Sequence, residues 1–149
     1  MSGTLRLDRI AVVSLVLLVG PACHRAPVAV QPGGIQTERA IWQAHDLGRY
    51  AYVYETTGFL IAWSGRPVRL VVIDDSVTSA QDVATDSMLP AAAFPTIDEL
   101  FARALAAQSE GSLLAIAFDS TFAYPSRIDL AGPPDASGSI RASDLQLLP

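Results

Sequence analysis

The segment Arg49 to Thr57, RYAYVYETT, constrains the fold more than any other stretch of the chain. Tyr50, Tyr52 and Tyr54 alternate with Ala51, Val53 and Glu55, and a period of two is the signature of a β-strand. Successive strand side chains point to opposite faces, so the three rings share one face. A lone strand or hairpin is marginal in water and needs further strands or a helix packed against it. The sequence offers both. Pro67 to Asp74 (PVRLVVID) is rich in Val and Ile and reads as a strand. Asp75-Ser76 suits a turn, and Val77 to Ala80 a short further strand. Leu113 to Asp119 (LLAIAFD) reads as a buried strand, Ser126 to Leu130 (SRIDL) as a strand with one wet face, and Ile140 to Leu148 as holding a last short strand. Gln81 to Phe94 and Ala131 to Ser139 read as loops.

Two helices complete the layout. Ile35 to Leu47 places Ile41, Trp42 and His45 at helical spacing, with Gly48 as a stop and Trp42 as core anchor. Pro95-Thr96-Ile97-Asp98-Glu99 carries a capping box. The Thr96 hydroxyl can accept from the first turn, and Glu99 can reach back to the Thr96 amide. Ile97, Leu100, Phe101, Ala104 and Leu105 then form an apolar stripe, with the helix ending near Gln108 to Gly111. The order α-β-β-(β)-α-β-β-β predicts an α+β fold: a small two-layer sandwich with two helices on one face of an antiparallel sheet.

The first residues read as an export signal rather than as part of this domain. Arg6 and Arg9 precede the apolar run Ile10 to Val19, about ten residues long and short for a permanent membrane span. The single cysteine, Cys23, follows Gly20-Pro21-Ala22, where cleavage would fall. This pattern is similar to a bacterial lipoprotein signal, in which the new N-terminal cysteine is lipidated, although Gly20 stands where Leu is usual. Gly20 and Ala22 also fit the small-x-small rule of ordinary signal peptidase. The organisation expected is a signal peptide over 1–22, a Pro/Gly tether over 23–34, and one domain over 35–149. The expected location is the cell membrane or outer membrane, lipid-anchored through Cys23 and facing the periplasm or exterior. The alternative is a soluble secreted or periplasmic protein. Cys23 has no partner cysteine, so such a domain is held by its core alone.

Charge excludes some functions. The formal net charge is -5, all ten basic residues are Arg, and they are scattered singly, which argues against a nucleic-acid surface. His24 falls in the tether, leaving His45 as the one candidate base for a Ser-His-Asp set. No Gly-x-Ser-x-Gly elbow is present, so His45 reads as a half-buried helix residue. Two histidines and one terminal cysteine cannot build a usual zinc site. A calcium site from Asp74, Asp75 and Asp119 is conceivable, but Asp74-Asp75 fits turn chemistry better. No Gly-rich phosphate loop appears, and no cofactor or metal is expected.

The densest polar group is in AFDSTFAYPSRIDL, Ala117 to Leu130. It reads as a hairpin turning over Ser120 to Ala123, with Pro125 holding Tyr124 extended at the strand entry. Asp119 and Asp129 flank that hairpin and would be the acids of a small carboxylate-dependent hydrolase. The candidate binding surface comprises Tyr50, Tyr52, Tyr54, Trp63, Phe122, Tyr124, Arg127 and Asp129. Phe59 is a further candidate for an apolar patch with Trp63 and Phe122. The tyrosine stripe has two readings, a partner platform or the sheet face beneath the helices.

Together these blocks resemble a known family, domain of unknown function 6174, found in small bacterial lipoproteins and secreted proteins. The resemblance rests on Trp42, Tyr50-x-Tyr52-x-Tyr54, Pro67 to Val72, Val77-Thr78-Ser79-Ala80, PTIDELF (Pro95 to Phe101), Phe118-Asp119 and YPSRID (Tyr124 to Asp129). It runs from about Ile35 to Leu148. It implies export, frequent lipidation and the αβ layout, and no biochemical activity. Members often carry a Cys-x-Cys pair after the tyrosine strand; here Thr57 to Ile61 holds no cysteine.

The function expected is that of a non-catalytic, lipid-tethered envelope protein. Its domain would bind an envelope protein or small ligand, and its partners would be the membrane and that ligand, not nucleic acid. The alternatives are the Asp119/Asp129 hydrolase and an inhibitor-like or envelope-assembly module.

Overall fold

The computed structural model describes residues 34–58, 63–132 and 136–149. The expected signal peptide, Cys23, the tether and Phe59 lie outside the described residues. In chain order the elements are α1 (Gly34–Ala44), β1 (Arg49–Gly58), β2 (Val68–Ile73), β3 (Ser76–Asp82), a 3-10 turn (Ala91–Ala93), α2 (Ile97–Glu110), β4 (Leu113–Phe118), β5 (Pro125–Ala131) and β6 (Ser137–Leu147). The six strands form one antiparallel sheet in the order β3-β2-β1-β6-β5-β4. Two three-stranded meanders are thus joined through β1 and β6. The fold is α+β, with the element order the sequence implies.

The period-two pattern places the core. Tyr50, Tyr52, Tyr54 and Thr56 of β1 are buried, as are Val68, Leu70 and Val72 of β2 and Ile140 and Ala142 of β6. Both helices add their apolar stripes to this side: Ile35 and Trp42 from α1; Ile97, Leu100, Phe101 and Ala104 from α2. Phe101 stacks on Phe118 of β4, centroids 6.1 Å apart at 20°. Each large apolar side chain so buried contributes about 1.5–3 kcal/mol. Among the described residues the buried hydrophobic cluster runs from Ile35 to Ala142. No helix among the described residues is long and apolar enough to cross a membrane.

The capping box forms as expected. Thr96 Oγ1 accepts from the Glu99 amide at 3.3 Å, and Glu99 Oε2 accepts from the Thr96 amide at 2.7 Å. Gly111 closes α2 in the left-handed region, φ 72°. The β2–β3 hairpin turns on Asp74 (φ 47°) and Asp75 (φ 58°), two successive positive φ values of the kind a two-residue hairpin turn requires.

Strands β1, β2 and β4 differ from the sequence expectation by one residue at one or both ends, and four other elements differ for identifiable reasons. Helix α1 ends at Ala44 because Asp46 adopts φ 49° and breaks the helical run before Gly48. Strand β3 reaches Asp82 because the following loop folds back on it. Strand β5 includes Pro125 as its first residue, where a missing amide does no harm. The largest difference is β6, the longest strand in the sheet, which begins at Ser137 within the expected loop. Ser137 to Ser139 have weak strand propensity, but pairing with β5 on one side and the end of β1 on the other overrides it. Gly58 allows that close approach. A Cβ there would sit 2.2 Å from the Ser137 carbonyl oxygen, and φ is 93°.

Candidate functional site: the open face of the sheet

With both helices on one side, the opposite face of the sheet has no covering layer among the described residues. It carries the other half of each alternation: Arg49, Val53 and Glu55 from β1, with the buried Ala51 between the first two, Arg69 and Val71 from β2, Ala115 and Ala117 from β4, Arg127 and Asp129 from β5, Ser139 and Arg141 from β6. Register builds rows across it. Ala117, Arg127, Arg141 and Glu55 lie in one row through successive strand pairs. Ala115, Asp129 and Ser139 lie in the next.

Charge is unevenly shared. Four of the seven described arginines (Arg49, Arg69, Arg127, Arg141) lie on this face, against two acids, Glu55 and Asp129. Arg127 and Arg141 sit directly opposite one another, an arrangement that repels unless anions compensate. Asp129 supplies part of that compensation. Arg127 Nε donates to Asp129 Oδ1 at 2.8 Å. Partial burial pushes the Asp129 carboxyl up, but the Arg127 bond and the charge of Arg141 outweigh it and hold the group below the usual carboxylate range. The same bond raises Arg127. The Arg127 side chain remains 51% exposed, so one donor fork still faces solvent. As an exposed pair it contributes little to stability.

The other sequence candidates are placed differently. Tyr50, Tyr52, Tyr54 and Tyr124 are all at most 4% exposed, which removes them from any partner-facing surface. They hold the helices instead. Tyr50 Oη accepts from the Ile97 amide at 3.2 Å, and Tyr52 Oη donates to the Pro95 carbonyl, so two rings fix the start of α2. This satisfies a helix-terminal amide that has no partner within the helix. Burial pushes the Tyr50, Tyr52, Tyr54 and Tyr124 hydroxyls up, keeping them neutral near pH 7. Trp63 and Phe122 are half-buried and apart. Trp63 packs on Phe94 with Arg66 over its ring, and Phe122 meets His45, centroids 5.4 Å apart. They do not form a joint patch. His45 is exposed on the turn after α1, not half-buried within the helix.

The hydrolase pair is not assembled. Asp119 is a turn carboxylate that accepts from the Thr121 and Phe122 amides at 2.9 and 2.8 Å. Asp129 pairs with Ala115, four residues before Asp119. At about 3.3 Å per residue the two acids lie roughly 13 Å apart along the hairpin, beyond the ~5–9.5 Å that paired acids of glycoside hydrolysis span. Asp74 and Asp75 are separated from Asp119 by β1 and β6, and no group of three His, Cys, Asp or Glu among the described residues could hold a metal ion.

A cleft of about 650 Å³ opens where α1 ends and α2 begins, between Trp42, Asp46, Asp75 and Asp98. Two of the acids that line it, Asp98 and Glu99, are engaged structurally, Glu99 in the capping box. Asp98 accepts from Trp42 Nε1 at 3.0 Å and Gln43 Nε2 at 3.3 Å, with Arg39 at 4.0 Å, and so clamps α1 to the start of α2. In the sequence Asp98 is marked only as a member of the capping segment Pro95 to Glu99. The clamp was not legible because its donors lie about fifty-five residues away.

This architecture accompanies a family match over residues 34–138, to a family of unknown function, DUF6174. The chain belongs to DUF6174. The matched span covers α1 through the start of β6 and includes the PTIDELF and YPSRID blocks that carried the resemblance. No curated protein and no solved structure matches the chain. In this DUF6174 domain the YPSRID block is architectural at Tyr124 and Pro125 and surface-facing at Arg127 and Asp129.

Proposed function

We propose that this DUF6174 protein is an exported, lipid-anchored envelope protein. Its domain is a non-catalytic binding module that receives a partner on the open sheet face. The observation that carries the binding reading is the uncovered face itself, where four arginines concentrate on a chain of net charge -5. A broad face of this kind, rather than an enclosed cleft, suits a protein surface, and its local positive excess suits an acidic one. The anchor reading rests on Cys23 after a short apolar segment. At about 3.3–3.6 Å per residue, the stretch from Cys23 to Gly34 would hold the domain within roughly 40 Å of the bilayer.

Two measurements test the two parts separately. Intact mass of the protein extracted from membranes is expected to show a diacylglycerol adduct on a chain beginning at Cys23; an unmodified mature chain refutes the anchor. Affinity capture from envelope extracts is expected to lose its specific partner when Arg127→Glu and Arg141→Glu are combined. Identical capture by the folded double variant refutes the assignment of the face.

A further inference from the structure

One carboxylate organises the β3 edge of the sheet. Asp82, the last residue of β3, is fully buried. Its Oδ1 accepts from the Ala84 and Thr85 amides at 2.9 and 3.0 Å, and its Oδ2 pairs with the Arg66 guanidinium. The loop that follows runs back along β3. The Asp82 amide donates to the Ser87 carbonyl, the Leu89 amide donates to the Ala80 carbonyl, and Gln81 bridges Met88. The loop thus occupies outward-facing backbone groups of an edge strand.

Little else holds this loop. Residues 83–88 are all exposed, so the segment buries no apolar side chain before the half-buried Leu89. Asp86 adopts φ 56°, a conformation that costs free energy in a non-glycine residue. Segments with few buried apolar contacts and exposed backbone bonds open at low free energy. Here the first turn of the segment closes on a charge.

We infer that residues 83–89 form a strap latched by the Asp82 carboxylate, and that protonation of Asp82 opens the strap while the rest of the fold stays closed. Oδ1 is held by two amides, so the proton goes to Oδ2, where it faces a guanidinium that has donors only. The Arg66 side chain is 45% exposed and lies over Trp63, so it is free to turn to solvent. The carboxyl hydroxyl is then buried without an acceptor, and opening relieves that cost by admitting water. The charged groups around the latch are Arg66, from the turn before β2, and Asp86, within the strap, whose carboxylate accepts from Gln81 Nε2. Burial pushes the Asp82 carboxyl up, but the Thr85 and Ala84 amides, the Thr85 hydroxyl and Arg66 outweigh it and hold it below its ordinary value. The latch is therefore set above pH ~4 and released as the pH falls through the folded value. Release leaves the Ala80 carbonyl and the Asp82 amide without their strap partners at the sheet edge. The device is separate from the binding face proposed above, whose acid Asp129 lies on β5.

The test uses the chain as the cell produces it, solubilised in a non-ionic detergent. Amide proton–nitrogen NMR spectra follow Ala84, Thr85 and Leu89 in the strap against Tyr52 and Leu100 in the core, from pH ~7 to ~3. The strap signals are expected to leave their native positions together below pH ~4 while the core signals stay. Asp82→Asn sets a neutral donor against Arg66 at every pH, and is expected to show the open strap already at neutral pH and no acid step. Arg66→Gln, at an exposed position, is expected to move the opening midpoint up by at least about half a pH unit. Asp129→Asn, distant on β5, is expected to leave that midpoint unchanged. Loss of strap and core signals at one common midpoint, a closed strap in Asp82→Asn, or a midpoint indifferent to Arg66→Gln overturns the inference.

Discussion

Replacing Trp42 tests the joint between the two helices. Trp42 is 4% exposed, sits edge-on to Tyr50 (5.4 Å, 87°) and Tyr124 (6.3 Å, 76°), and donates from Nε1 to Asp98. Trp42→Ala removes the ring from all three contacts and is expected to cost about 3–5 kcal/mol, the range for large aromatic-to-alanine changes in cores. Trp42→Phe keeps most of the apolar contact and removes the donor. A hydrogen bond to a charged group contributes about 1.5–3 kcal/mol when desolvated. The Asp98 side chain is 34% exposed, and Gln43 still donates to it, so the loss is expected near the lower end. We therefore expect about 1–2 kcal/mol for Trp42→Phe. Urea unfolding followed by far-UV circular dichroism measures this without relying on tryptophan emission, and an unchanged m value confirms that the states compared are the same. The decisive figure is the coupling in a cycle of Trp42→Phe with Asp98→Ala, expected near 1 kcal/mol. Coupling within the ~0.3–0.5 kcal/mol additivity of independent sites would refute the clamp.

Other outcomes follow from the same structure. Gly58→Ala drives a methyl group into the Ser137 carbonyl at a positive φ, and is expected to lower stability by about 3 kcal/mol or more in thermal unfolding. Gly111→Ala, with φ 72° but open space around it, is expected to lose only about 1–2 kcal/mol. Burial pushes the Asp82 carboxyl up, but the Thr85 and Ala84 amides, the Thr85 hydroxyl and Arg66 outweigh it and hold it below its ordinary value. Asp129 is held below as well. Their folded pKa values lie under the unfolded value of about 4, so the unfolded chain binds more protons in acid. The stability they supply is present above pH ~4 and lost as pH falls through the folded values. Asp82→Asn is expected to flatten that acid limb in pH-dependent urea titrations, and an unchanged slope would refute the assignment. Thr96→Ala is expected to cost about 1 kcal/mol by removing the cap of α2, read by the same titration at neutral pH.

Some of this molecule is determined locally and is legible residue by residue. The period-two run around Tyr50, Tyr52 and Tyr54 is a strand because only a strand puts three rings on one side. Thr96 and Glu99 start a helix because their side chains satisfy amides one turn away. Asp74 and Asp75 make a turn because their short side chains tolerate positive φ. The two helices, the antiparallel sheet and the family membership follow from such signals. The tertiary structure alone decided the rest, because the interactions are long-range. Ser137 to Ser139 became strand only by lying between β1 and β5. The tyrosine stripe was settled as core, not platform, by the helices that cover it, and Asp98 became a clamp by meeting donors on α1. Arg127 and Asp129 were recognisable as wet-face residues from alternation. That Arg141, Arg69 and Glu55 share their face depends on strand order. Strand order arises from which apolar faces bury together, and no local pattern in the sequence encodes it.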